Sequence, residues 1–211
     1  MNFAIIAQQL VSGMGSSLMI FVLTLLFSMP LGLLVAFGRM SKIKPLQAVI
    51  KVFIAILRGT PLMLQLLVVN FAPYYLFRIS LPRWYRFAAI IIGFSINYAA
   101  YFAEIYRSGI ESIPKGQYEA ASVLGYNKNQ TFFRIIFPQM VKRVLPPVTN
   151  EVITLVKDTS LAFVLAYEEM FTVAKQIASA RTSIMPLFVA GVFYFIFNAV
   201  VAFAWNALKR N

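Results

Sequence analysis

Cysteine and histidine are both absent from the 211 residues, and Asp and Glu together number only 7. Those absences exclude disulfides, thiolate or imidazole metal sites, and catalysis by a Cys or His nucleophile or base. Charge of either sign is scarce: 12% of residues are charged and 60% are hydrophobic, too apolar for a water-soluble domain with an ordinary surface. No G-x-x-x-x-G-K-[ST] stretch occurs, so the chain cannot cradle ATP phosphates with a P-loop. Any ATP and Mg would be bound by a separate protein, and no cofactor is expected on this one. A cleavable secretory signal is not expected either, because no Lys or Arg precedes Arg39 and no short apolar region stands alone.

What is present is base and oil. Lys and Arg outnumber the acids 19 to 7, a net charge of +12. The basic residues punctuate apolar runs and form no stripe or tail, which argues for a membrane and against nucleic acid. The predicted fold class is an all-α integral membrane protein, one domain over 1–211, with spans at about 18–38, 50–77, 87–106, 144–167 and 184–208. Each is long enough to cross a hydrocarbon core of roughly 30 Å. Met1 to Ser17 reads as an interfacial segment. Arg58-Gly59-Thr60-Pro61 interrupts the second span as a break or kink. With 107–143 inside, the cytoplasmic face collects Arg39, Lys42, Lys44, Lys51, Arg107, Lys115, Lys128, Arg134, Lys142, Arg143, Lys209 and Arg210. The outside then holds Arg78, Arg83, Arg86, Lys175 and Arg181. The positive-inside rule therefore places the amino terminus outside and the carboxyl terminus in the cytoplasm.

Four ionisable residues fall within these spans: Arg58, Glu151, Lys157 and Asp158. At about 2.5–3.5 kcal/mol each near the membrane centre, their combined cost is on the order of 10 kcal/mol, which requires partners or a watery cavity. Glu151, Thr154 and Asp158 share one helical face, as do Asn97, Tyr101 and Glu104, while Arg58 and Gln65 are seven apart across Pro61. Two readings fit. The polar faces either pair as glue between helices, or they form a mid-membrane site for a zwitterionic solute. In such a site Glu151 would hold an ammonium, and Arg58, Lys157 or backbone N–H groups at a broken helix would face a carboxylate. In a secondary carrier Glu104, Glu151 and Asp158 would instead be ion-coupling groups, but five spans without an internal repeat argue against that class. An intramembrane enzyme would need a nucleophile or metal site, and the chain has no Cys, no His and no convincing Ser-Lys or paired-Asp constellation.

The longest charged, turn-rich interval is 107–147. Pro114 and Gly116 break the preceding segment, Glu119 suits the first turn of a helix, and Gly125 suits its stop. A second segment, Gln130 to Phe137, is expected to end at Pro138.

The spacing Glu119-Ala120-Ala121, Gly125, Ile135 and Pro138 resembles the EAA loop of bacterial ABC-importer permeases. The surrounding Arg107, Gly109, Ile110, Ile113, Gly116-Gln117 and Pro138-Gln139 resemble the polar amino acid subfamily, with Phe137 where Leu is usual. Arg58-Gly59-Thr60-Pro61-Leu62 with Gln65 is similar to that family's RGTPL signature. Asn150-Glu151 and Leu155 to Leu161 are similar to its NE and LKDTSL motifs, and Asn97 to Glu104 to its third-span pattern, with Tyr98 where a small residue is common.

The resemblance implies a type I ABC importer permease fold with a cytoplasmic coupling helix, in the inner membrane of a bacterial cell. It implies a transport subunit and not an enzyme, importing polar amino acids, cystine among them, by alternating access. Expected partners are an ATPase dimer, a second permease chain (identical or homologous), an extracytoplasmic solute-binding protein and membrane lipid. The expected substrate-binding residues are Asn97, Tyr98, Glu151, Arg58, Thr60, Gln65, Lys157 and Asp158. The ATPase-coupling residues would be Gln117, Glu119, Ala120, Ala121, Gly125 and Pro138.

Overall fold

The structure, a computed structural model, describes residues 3–210, with side chains described from 4 to 205. Met1, Asn2, Asn211 and the side chains of Lys209 and Arg210, assigned above to opposite sides of the membrane, lie outside those limits. Among the described residues every element is helical. The order is α1 (Phe3–Arg39), α2 (Lys44–Gly59), α3 (Leu62–Phe77), α4 (Tyr85–Glu111), α5 (Lys115–Val123), α6 (Lys128–Thr131), α7 (Phe137–Asp158), α8 (Met170–Arg181) and α9 (Met185–Arg210). A π turn, Phe132–Ile136, precedes α7, and a 3-10 segment, Thr159–Leu165, follows it.

The central pair is α1 against α4. The sequence of α1 is apolar on every side, yet its buried positions recur at helical spacing: Ile6, Leu10, Gly13, Ser17, Ile20, Thr24, Ser28, Gly32 and Ala36. Most are small, which lets backbones approach where lipid offers no hydrophobic drive to association. A β-carbon added at Gly32 would stand 2.8 Å from Phe102 Cβ and 3.1 Å from the Ala99 carbonyl oxygen of α4. One added at Gly13 would stand 2.7 Å from Met170 Cα, at the start of α8. On α4, Ile90, Phe94, Tyr98 and Phe102 form the middle of the core, closed by Leu66 of α3 and by Val148, Val152 and Leu155 of α7. By contrast, Phe188, Val192, Phe195, Ile196, Val200 and Phe203 on α9 are exposed, as a lipid-facing helix requires.

Several sequence expectations are corrected. The segment to Ser17 is no separate interfacial stretch, because α1 runs unbroken from Phe3 through Pro30 to Arg39. The basic stretch after α1, which the sequence suggests as a turn holding Arg39, Lys42, Lys44, Pro45 and Lys51, is shorter than that, because Lys44 and Lys51 belong to α2. The break at Thr60-Pro61 is sharper than a kink, since α2 and α3 meet at 111°. Three helices are long and apolar enough to cross a membrane, or up to four if that bent pair is one span. The stretch about 144–167 is not a uniform apolar helix. Its α7 carries Glu151, Lys157 and Asp158 on an amphipathic surface, contains Pro146 and Pro147, and gives way at Thr159 to the 3-10 segment. Nor does Pro138 end a segment. It stands in the first turn of α7, directly after the π turn that runs on into that helix.

The polar connection Glu168 to Ser183 holds α8 and a buried carboxyl group. Glu169 is 0% exposed and caps α8, accepting from the Phe171 and Thr172 amides at 2.7 and 2.6 Å and from the Thr172 hydroxyl at 2.8 Å. Tyr194 of α9 also donates to it, at 3.1 Å, and Ser17 of α1 lies 3.5 Å away. One carboxylate thus ties three helices together. Replacing Glu169 with Ala strands these buried donors and is expected to cost about 2–3 kcal/mol. Thermal unfolding in detergent checks this, and an unchanged melting temperature would refute it.

Candidate functional site

The site begins at the break between α2 and α3. Thr60 and Pro61 are extended, Pro61 has no N–H to offer, and the last carbonyls of α2 lose their helical donors. In a membrane those carbonyls need replacements. Gln65 supplies them: its amide nitrogen lies 2.8 Å from the Leu57 carbonyl oxygen, 3.1 Å from that of Thr60 and 2.9 Å from Thr60 Oγ1. Asn97 of α4, 4% exposed, donates to the Leu57 carbonyl at 3.2 Å and to Gln65 Oε1 at 3.0 Å. The Thr60 hydroxyl returns to the Ile56 carbonyl at 2.8 Å. Three of the expected site residues, Thr60, Gln65 and Asn97, are therefore brought together, and their polar groups are engaged in holding the break.

Tyr98 and Asp158 form a second group. The Tyr98 hydroxyl donates to Asp158 Oδ2 at 2.7 Å and carries the third-span pattern across to the end of α7. Lys157, next in sequence to Asp158, is exposed on a different face and joins neither group.

Arg58 and Glu151 meet in a cavity of about 490 Å³ between α2, α4 and α7, whose wall also includes Tyr101, Glu104, Arg107, Ser112 and Arg143. The Arg58 guanidinium carbon lies 5.1 Å from the centre of the Tyr101 ring, a cation–π contact that fixes the side chain without using its N–H groups. Glu104 accepts from Arg107 Nε at 3.0 Å and Nη2 at 2.7 Å, with Arg39 Nε 3.9 Å away, while Arg107 also bonds Glu111. Arg143 donates to the carbonyl of Ser112 at the end of α4. The residues named from sequence thus divide among a break, a tyrosine–carboxylate pair and a charged cavity. Sequence reasoning put Tyr101 and Glu104 on the polar face of α4. It did not single out Arg107 or Arg143 for the site, although both stand at the ends of the charged interval.

The coupling residues lie on and around α5. That helix starts at Lys115, so Gly116 is inside it and Glu119 is past its first turn, a correction to the expected start. Gly125 ends it as expected. Its φ of +78° gives the left-handed turn, and the Gly125 and Tyr126 amides close on the Ser122 and Ala121 carbonyls at 3.0 Å each. Ala121 is buried, whereas Tyr118, Glu119, Ala120, Val123 and Leu124 are exposed, with Val123 at 87% and Leu124 at 72%. Gln117 is joined to α7 through Gln139, whose amide donates to Gln117 Oε1 at 3.2 Å and to the Ile135 carbonyl at 2.9 Å. Pro138 is exposed beside that link. The α6 segment is set by a reciprocal capping box between Asn127 and Gln130.

Known proteins resemble the chain along nearly its whole length. It is 36% identical over 192 residues to the L-cystine transport system permease protein TcyB of Bacillus subtilis (strain 168), covering 90% of this chain and 80% of that one. It is 30% identical to the arginine transport system permease protein ArtQ of the same organism, covering 96% and 91%. In three dimensions it matches a crystal structure of an amino acid ABC transporter with histidines at a TM-score of 0.88 and 29% identity, covering 100% of this chain and 98% of that one. The fold also matches that of the MetNI methionine ABC transporter in an inward-facing form, at a TM-score of 0.75 and 16% identity. A family model described as the inner membrane component of binding-protein-dependent transport systems matches residues 28–211. That match spans most of the chain, and the chain belongs to the family of binding-protein-dependent transport system inner membrane components.

Proposed function

We propose that the chain is the membrane-spanning subunit of an ATP-driven importer for polar amino acids, cystine among the candidate solutes. The observation that carries this reading is α5, a short helix that presents Glu119, Ala120, Val123 and Leu124 outward while its Gln117 is tied to α7. Such a helix is built to be pushed from outside and to move what lies behind it, the Arg58–Glu151 cavity and the capped break. The partners are an ATPase dimer docked on α5, a second permease chain and an extracytoplasmic solute-binding protein. ATP-driven closure of the ATPases would rock the two permease chains between outward- and inward-open states.

In this reading the chain crosses the inner membrane five times, with α7 and the 3-10 segment lining the translocation path as the fourth span. The amino terminus is outside, and the 107–143 interval is in the cytoplasm. Asn97, Tyr98, Glu151, Arg58, Thr60, Gln65 and Asp158 form the wall the solute passes. Lys157, exposed in the single chain, faces the second permease. The named relatives are permeases of amino acid transport systems, and they leave the ion-gradient carrier without support.

Two measurements test the proposal in vesicles holding the permease, its ATPase and its binding protein. Glu119→Lys and Gly125→Asp are expected to cut ATP-dependent amino acid uptake at least roughly tenfold while ATP hydrolysis persists; in Gly125→Asp the left-handed turn adds about 1–2 kcal/mol of strain. Normal uptake by both variants would sink the coupling role. Gln65→Leu removes the amide that caps Leu57 and Thr60, and is expected to lower uptake and melting temperature together, at about 1–3 kcal/mol. Full uptake by that variant would show that the break does not depend on it.

A further inference from the structure

Little holds α5 in place. Ala121 is its one buried residue, and the helix packs on α6 and the π turn. The turn that leads into it from α4, Ser112 to Pro114, is three residues long, and of these only Ile113 is buried. A push on such a helix bends that turn and goes no further, unless the helix and the turn are tied to a larger body. The ties come from one stretch of α7. Gly109, in the last turn of α4, meets α7 so closely that a β-carbon there would run into Val144 Cγ1 and stand 3.3 Å from Met140 Cγ. Beside that contact Arg143 donates to the Ser112 carbonyl, which the end of α4 leaves without a helical donor. One turn earlier Gln139 gives its amide to Gln117 Oε1 of α5 at 3.2 Å and to the Ile135 carbonyl of the π turn at 2.9 Å. Gln139 and Arg143 stand at i and i+4, and Met140 and Val144 repeat that spacing on the neighbouring face. Two successive turns of α7 thus hold α4, the connecting turn and α5.

We infer that Arg143 and Gln139 are positioning residues of the transport cycle. They bind the end of α4 and the body of α5 to α7, so that a push on α5 moves α7 and does not dissipate in the turn at Ser112 to Pro114. Each acts through a backbone or side-chain oxygen of another element, Arg143 on Ser112 and Gln139 on Gln117 and Ile135. The Arg143 bond is charge-assisted, which makes it the stronger of the two ties. The assignment rests on the importer reading and adds to it, because neither residue is among the coupling residues expected from the sequence.

The test is the number of amino acid molecules imported per ATP hydrolysed, in vesicles holding the permease, its ATPase and its binding protein. Labelled cystine, arginine and glutamine are the probes, and the one taken up best by the unaltered complex is carried forward. Arg143→Met keeps a long side chain and removes its donors. It is expected to lower the ratio at least about fivefold, the low end of coupling between sites, while hydrolysis keeps at least about half its rate. The melting temperature of the purified complex is expected to fall by no more than about 4 °C, the value of one exposed hydrogen bond in a chain of this size. Arg143→Lys, which returns a donor and the charge, is expected to recover more than about half of the lost ratio. Gln139→Leu cuts the second tie and is expected to lower the ratio in the same way, and it decides the question if Arg143→Met does not assemble. An unchanged ratio in either variant overturns the inference. Uptake and hydrolysis that fall together with the melting temperature, without recovery in Arg143→Lys, overturn it too, because they mark a support of the fold only. Uptake by the unaltered complex that is indifferent to ATP defeats the importer reading itself, whereas ATP-driven uptake with an unchanged ratio in the variants defeats only the role assigned here.

Discussion

A helix broken inside a membrane has to replace the hydrogen bonds it gives up, and the rest of this structure depends on how the break at Thr60-Pro61 does so. Hydrocarbon offers no donors, so the carbonyls of Leu57 and Thr60 have to be met by side chains. Gln65 and Asn97 meet them, and by doing so fix the 111° angle between α2 and α3 and lock both onto α4. That angle opens the space in which Arg58 can lie over Tyr101 and face Glu151 across a cavity. An unbroken helix would close it. The cavity in this fold therefore begins with a local failure of helix geometry that two amides make stable.

The charges follow from the same logic. Ionisable groups in α2, α4 and α7 are expensive in lipid, and Arg58, Glu104, Glu151 and Asp158 turn toward another helix or the cavity. Glu104 is neutralised by Arg107, with Arg39 nearby, and Asp158 receives the Tyr98 hydroxyl. The 111° corner also explains why α7 does not look like a membrane helix by composition. Its polar face borders a cavity and its apolar face, with Val148, Val152 and Leu155, packs on the core. On the far side of the molecule Glu169 carries out a structural version of the same task, where a fully buried carboxylate is satisfied by amides and hydroxyls from three helices.

Communication between the surface and the cavity runs through short polar links. Gln139 joins α5 to the root of α7, and Arg143, one turn further along α7, holds the end of α4 through the Ser112 carbonyl. Both residues lie on the same helix as Glu151. In the proposed transport cycle a displacement of α5 would pass along α7 toward the charged wall of the cavity, while close contacts at Gly13 and Gly32 pack α1 against α8 and α4.

The amino-acid sequence by itself determined the membrane class, the positions of the apolar helices at α4 and α9, the break at Pro61 and the turn at Gly125. These are local consequences of hydropathy, of a residue without an N–H and of a residue free to take positive φ. It also marked Asn97, Gln65, Glu151 and Asp158 as out of place in lipid, because a polar group in an apolar run stands out without any fold. Only the tertiary structure decided what those groups do. Asn97 and Gln65 meet across 32 positions of chain, Tyr98 and Asp158 across 60, and Ser17 and Glu169 across 152, and no periodicity within one helix encodes such encounters. The same holds for α1, whose even hydrophobicity hid a packing face written in residue size, and for Arg143, which reads as a loop cation until α7 brings it to the cavity. Helix type is a property of neighbours in sequence. A site is a property of which faces pack, and packing is chosen by shape and charge between segments far apart in the chain.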